Sequence, residues 1–286
     1  MKHIHASPGF EHLLVAPQWQ GSGTAHPDRL VAGAHRLSAL LPARRRTILA
    51  IDADPAPDRD GVRRLDALAR ARSAVREVLA EWGDGPLCTV GGDCGVELAP
   101  IAHAVARHGE RLAVVWFDAH PDLNTPDDSP SGAFHGMVLR TLLGDGPTAL
   151  LPPPDQRPSA QRLVLAGVRA VDPAEAHFIE AEGIRRLSVE QCDDPSRLVA
   201  AVAATGATHV YLHVDLDVLD PKRFGALSVP EPDGLEPARL GAALRALAEE
   251  FTVAGLGITE HAPAPAADST RDDRVLHEIF DGLAPL

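Results

Sequence analysis

Short apolar runs separated by longer amphipathic stretches dictate the fold of this chain before anything else does. The runs are "HLLVA" (12–16), "TILAI" (47–51), "LCTV" (87–90), "LAVVWF" (112–117), "LVLAGV" (163–168), "IRRL" (184–187), "HVYLHV" (209–214) and "TVAGLGI" (252–258). Several are apolar throughout, not alternating, which is how strands covered on both faces of a parallel sheet read. The stretches 62–82, 95–108, 135–143, 173–182, 196–205, 236–250 and 271–283 carry helical patterns. Asp172-Pro173 and Glu236-Pro237 look like helix starts with proline in the first turn. Alternating strand and helix signals imply a three-layer α/β architecture with a mostly parallel sheet. The Pro-rich segment "DGPTALLPPPDQRP" (145–158) reads as a surface connection, because the strand pattern resumes unchanged after it. Residues 1–286 are therefore expected to form a single domain.

In open α/β sheets chemistry gathers beyond the carboxyl ends of the strands. After "LAVVWF" come Asp118, His120 and Asp122; after "HVYLHV" come Asp215 and Asp217. In extended backbone, residues two apart point the same way, so each set can converge. Carboxylates so close to a buried strand repel one another and are poorly solvated. A divalent cation removes that penalty. Four carboxylates and one imidazole suit Mn²⁺, with Zn²⁺, Fe²⁺, Co²⁺ or Ni²⁺ also compatible, and are enough for a pair of metals. The bland alternative is that these acids cap the loops that follow.

Charge narrows the partners. The chain carries 40 acidic and 27 basic residues, a net charge of −13, and no basic block, which argues against nucleic acid. No apolar stretch approaches the roughly 20 residues that span a bilayer. The N-terminus lacks a leader pattern, and the three cysteines, Cys88, Cys94 and Cys192, have no disulfide spacing. A cytoplasmic protein is the expectation.

Taken together, "GGDC" (91–94), "DAHPD" (118–122), "DLDVLDP" (215–221) and "GITEHAP" (257–263) resemble the arginase/agmatinase (ureohydrolase) family, in order along the chain. The resemblance implies an α/β/α fold around an eight-stranded parallel sheet, often assembled as homo-trimers or hexamers. It implies hydrolysis of a guanidino carbon, releasing urea, by a hydroxide held between two Mn²⁺ ions. By motif position, Asp118 and Asp215 match carboxylates shared by both metals. His120 and Asp217 match ligands of the second metal, and Asp122 of the first. Glu260 matches the acid that holds the guanidinium. In the loop 122–136, Asn124, Ser129 and Ser131 match positions that bind an amino acid's carboxylate, and His135 a proton-shuttling histidine. Asp172 and Glu175 match acids near the substrate's α-amino group. Two departures, Ala170 for an acid and Val229 for a threonine, loosen the expectation of free arginine.

The largest departure is Cys94, where the family carries a histidine ligand of the first metal. A thiolate there favours Zn²⁺ or another thiophilic ion over Mn²⁺. Alternatively Cys94 stays a neutral thiol beside a weakened or lost first site. A nucleophilic role would need a poised base and a lowered pKa, whereas the surrounding acids raise it. A metal-depleted relative that only binds guanidino ligands is the competing functional reading.

Overall fold

The computed structural model describes residues 10–52, 56–83, 85–265, 269–281 and 283. The N-terminal residues 1–9, read above for a leader, and Gly282 in the last expected helix lie outside these. Eight strands form one all-parallel sheet in the order β2-β1-β3-β8-β7-β4-β5-β6. They are β1 (Phe10–Ala16), β2 (Ala43–Ile48), β3 (Leu87–Gly91), β4 (Leu112–Phe117), β5 (Leu163–Ala166), β6 (Arg185–Leu187), β7 (His209–Asp215) and β8 (Thr252–Thr259). The central strands are apolar on both faces because both are covered. In β4, Val115 and Phe117 pack with one helical layer, and Val114 and Trp116 with the other. The first layer contains α1 (Pro27–Leu40), and the second α2 (Leu65–Ala80) and α3 (Leu98–His108).

Two expectations need correction at the edge of the sheet. The strand expected at 47–51 is Ala43–Ile48, "ARRRTI". It is an edge strand paired only with β1, so solvent reaches its arginines and apolarity does not mark it. The apolar residues that suggested 47–51 pack after the strand has ended, Leu49 and Ile51 lying against the apolar cluster that contains Leu14, Val75 and Leu79. Helix α1 is absent from the expected pattern altogether. Pro27 occupies its first turn, and Leu30, Ala34 and Leu37 bury one face.

α1 is clamped to the end of β8. A Cβ on Gly33 would lie 1.6 Å from the carbonyl oxygen of His261, so only glycine permits this approach. The His261 ring nitrogen Nδ1 lies 3.1 Å from the Gly33 oxygen. Burial pushes this imidazole down to about 4. Its folded pKa is thus below that of the unfolded chain. The stabilisation is complete above the ordinary histidine value and is lost as pH falls towards 4. Chemical denaturation at pH 7 and pH 4.5 is expected to show wild type losing on the order of 2 to 3 kcal/mol from this group. His261→Asn, which retains a donor, should lose correspondingly less; equal losses would remove His261 as the cause.

Candidate metal centre and substrate cavity

The site lies where the topology directs it. β3, β8, β7 and β4 are consecutive neighbours in the sheet. Their carboxyl ends carry Cys94, Glu260, Asp215 and Asp118, with His120, Asp122 and Asp217 on the segments just beyond. Residues from four distant parts of the chain thus meet at one edge. Asp122 and Glu260 adopt left-handed backbone, at φ 51° and φ 61°. Such strain in non-glycine residues is tolerated where surrounding structure fixes it, often at functional sites.

One half of the cluster is an imidazole held by two acids. His120 Nδ1 is 3.1 Å from Asp217 Oδ2 and 3.4 Å from Asp118 Oδ1. Trp116 Nε1 donates to Asp118 Oδ2 at 2.9 Å, and the Ala119 amide donates to Asp217 Oδ1 at 3.0 Å. The other half is built around the thiol. Cys94 Sγ donates to Asp215 Oδ2 at 3.1 Å and lies 3.1 Å from Thr259 Oγ1. Cys94, Asp215 and Glu260 each bring a ligand atom within 4.8 Å of the others, as do Asp118, His120 and Asp217.

The electrostatics call for a cation. Burial and the repulsion of Asp217 push Asp118 up to about 6. Burial pushes Asp215 and Asp122 well above the ordinary carboxylate range, with Asp217 and Asp118 respectively as the next cause. Among the described residues, Asp122 Oδ2 and Glu260 Oε2 are buried without a hydrogen-bond partner. So many carboxylates cannot all ionise here unaided; divalent ions would let them. The donor set of oxygen, nitrogen and one sulfur fits transition-metal dications.

A cavity of about 410 Å³ opens above the cluster. Asp122, Asp215 and Asp217 reach its floor; Asn124, Ser129 and Ser131 line it, as do Asp172, Glu175 and His135. Ala170 and Val229, the two departures noted in the sequence, also line this space. Cys94, Asp118 and Glu260 lie beneath the floor, and His135 Nδ1 reaches down to Glu260 Oε1 at 3.2 Å. Some of the expected contact groups are already engaged. Both oxygens of Glu175 accept backbone N–H groups, from Leu123 and Asp172, each at 2.9 Å. Glu175 is thus a strut of the loop as well as a wall of the cavity. Asn124 Nδ2 donates to Asp172 Oδ2 at 2.9 Å.

The structure brings every expected site residue to this one region. It also adds groups the sequence reading does not contain. Beneath Cys94 lie His213, whose Nε2 is 3.6 Å from the sulfur, and Glu97, 3.5 Å from His213 Nδ1. His213 was legible in principle, because it precedes Asp215 by two residues in a strand and must share its face. A base does therefore stand near the thiol. Even so, burial first, and then the Asp215, Asp122, Glu260 and Asp118 charges, hold the thiol well above its ordinary value. Arg169, beside the acids, donates to the backbone oxygens of Asp217, Glu231 and Pro232. It ties loops together instead of presenting a free cation.

An all-parallel sheet with carboxylates and imidazole gathered at the carboxyl ends of its central strands defines an α/β metallohydrolase. The comparison with known proteins is more specific: the Arginase family model matches residues 24–281, and the chain belongs to that family. It is 34% identical to the arginase of Bacillus caldovelox over 212 residues, covering 71% of this chain and 70% of that one. It is 33% identical to an N(omega)-hydroxy-L-arginine amidinohydrolase of Streptomyces lavendulae over 241 residues, covering 81% and 82%. The structure of Entamoeba histolytica arginase in complex with L-ornithine superposes with a TM-score of 0.80 at 24% identity, covering 96% of this chain and 98% of that one, a likeness of fold. The chain is thus a metal-dependent amidinohydrolase, of a family built on a binuclear metal site. No helix among the described residues is long and apolar enough to cross a membrane.

Proposed function

We propose that the chain hydrolyses a small guanidino compound with an amino-acid-like end, releasing urea. The observation that carries this reading is the convergence of Asp118, His120, Asp122, Asp215 and Asp217 beneath a cavity whose far wall is polar. Two divalent ions, Mn²⁺ or, given Cys94, a more thiophilic ion, would be held by these residues. When bound, they would acidify water and polarise the carbon–nitrogen centre.

The remaining steps belong to the chain's own groups. Glu260 offers a buried carboxylate with one unengaged oxygen, suited to a planar guanidinium. His135, between cavity and Glu260, is positioned to move protons at Nδ1. Burial works against its protonation, but the Glu260 hydrogen bond together with the charges of Glu260 and Asp93 raises its pKa. Asn124, Ser129, Ser131 and Asp172 line the cavity, and in this reading they orient the substrate's polar end. A homo-oligomer and a cytoplasmic location accompany this reading.

The test is a substrate screen. Protein loaded separately with Mn²⁺, Zn²⁺, Co²⁺ or Fe²⁺ is assayed with arginine, N(omega)-hydroxyarginine, agmatine, guanidinobutyrate, guanidinopropionate and formiminoglutamate. Turnover of an α-amino guanidino acid in preference to agmatine is expected. Exclusive use of a substrate without a carboxylate would refute the proposed roles of Asn124, Ser129 and Ser131.

A further inference from the structure

We propose that His213 supplies the imidazole ligand that Cys94 fails to supply, so that the first metal is held by a Cys94–His213–Asp118 set, with Glu97 fixing the His213 ring. This rests on the metal-dependent reading of the same site. Position 94 has lost a nitrogen donor, and another imidazole enters the same space from β7.

The geometry supports coordination. Cys94, His213 and Asp118 each place a ligand atom within 4.8 Å of the other two. A zinc-like ion with bonds of about 2.3 Å to sulfur and 2.0 Å to nitrogen, at tetrahedral angles, separates those ligands by about 3.5 Å. The Cys94 Sγ to His213 Nε2 distance is 3.6 Å.

The surroundings set the His213 ring as a ligand's ring is usually set. Trp116 stacks on it, with centroids 3.5 Å apart and planes at 18°, and also hydrogen-bonds Asp118. His213 Nδ1, buried without a hydrogen-bond partner among the described residues, faces Glu97 Oε2 at 3.5 Å, while Nε2 faces the sulfur. A carboxylate accepting the distal N–H of a metal-bound histidine fixes its tautomer and raises its basicity.

Glu97 stands beside two buried polar side chains, Tyr211 and His213. It is wholly buried, and both carboxylate oxygens lack a hydrogen-bond partner among the described residues. Space for it exists only because residue 257 is glycine. A Cβ there would lie 1.9 Å from Glu97 Oε2. His213 pairs in register with Gly257 on one side and Trp116 on the other. Glu97, His213 and Trp116 thus form a layer directly beneath Cys94 and Asp118. On metal binding the Cys94 thiol proton leaves to solvent, and His213 adds a neutral donor without further negative charge.

Metal stoichiometry, affinity and the absorption of the Co²⁺-loaded protein test this. Wild type should bind two equivalents and show a sulfur-to-cobalt charge-transfer band that Cys94→Ser abolishes. His213→Ala should bind one equivalent at unchanged affinity, at Asp118, His120 and Asp217, and the other at least 100-fold more weakly. The retained equivalent shows that the variant is folded. Should His213→Ala fail to fold, the near-isosteric Glu97→Gln should weaken one of the two equivalents about 10- to 100-fold. Two equivalents at wild-type affinity in His213→Ala or Glu97→Gln, or a wild-type cobalt spectrum without the band, would overturn the proposal while leaving metal dependence intact. A wild type that binds no metal would overturn the underlying reading as well.

Discussion

Asp118→Asn is expected to lower kcat/KM by about three orders of magnitude, the consequence of losing several kcal/mol of metal-based transition-state stabilisation. Asparagine preserves the shape but keeps one acceptor oxygen, so of the Trp116 indole, which bonds Asp118 Oδ2, and the His120 amide, which bonds Oδ1, one loses its partner. What it removes is a charge in a cluster of mutually repelling acids. The variant should therefore gain less stability from added metal than wild type does. A cooperative melt that added metal shifts less than it shifts wild type separates loss of a ligand from misfolding. A variant that keeps activity within a few-fold of wild type would show that Asp118 is no ligand.

Glu260→Gln carries the second large effect. The pairing of a buried carboxylate with a guanidinium is worth about 2 to 5 kcal/mol when one partner loses its charge, or about 30- to 5000-fold in kcat/KM. A second signature comes from His135. With the Glu260 charge gone, its imidazole loses the partner that raises its pKa. Any limb of the pH profile that depends on His135 should move to lower pH. An unchanged profile with reduced kcat/KM would assign Glu260 to substrate alone and leave His135 without the proposed proton role.

The acids were legible because strand periodicity and strand order act together. Asp118, His120 and Asp122 follow one apolar run and Asp215 and Asp217 another, and a parallel sheet brings such ends to one side. The candidate ligands could be written down before the strand order was known. The order supplied the rest, by making β3, β8, β7 and β4 neighbours. Edge elements were less legible. The arginines of β2 give no apolar signal, because an edge strand is half solvated. The His213–Glu97 layer was hidden for another reason. Each residue alone reads as an isolated polar group in an apolar element. Only the register with Gly257 shows that a buried acid fits beside a buried imidazole.

The departure at Cys94 is the point at which composition and structure together say more than family membership. A thiol in place of an imidazole predicts a weakened first metal, if nothing else in the site has changed. His213, on β7, offers an imidazole 3.6 Å from the sulfur.

The most direct measurement is a metal titration of stripped protein, with urea release from guanidino substrates followed at each addition. The account predicts no activity without metal, a rise with added dication, and saturation at two equivalents per chain. Full activity in rigorously metal-free protein, or saturation of metal binding with no turnover of any guanidino substrate, would contradict it.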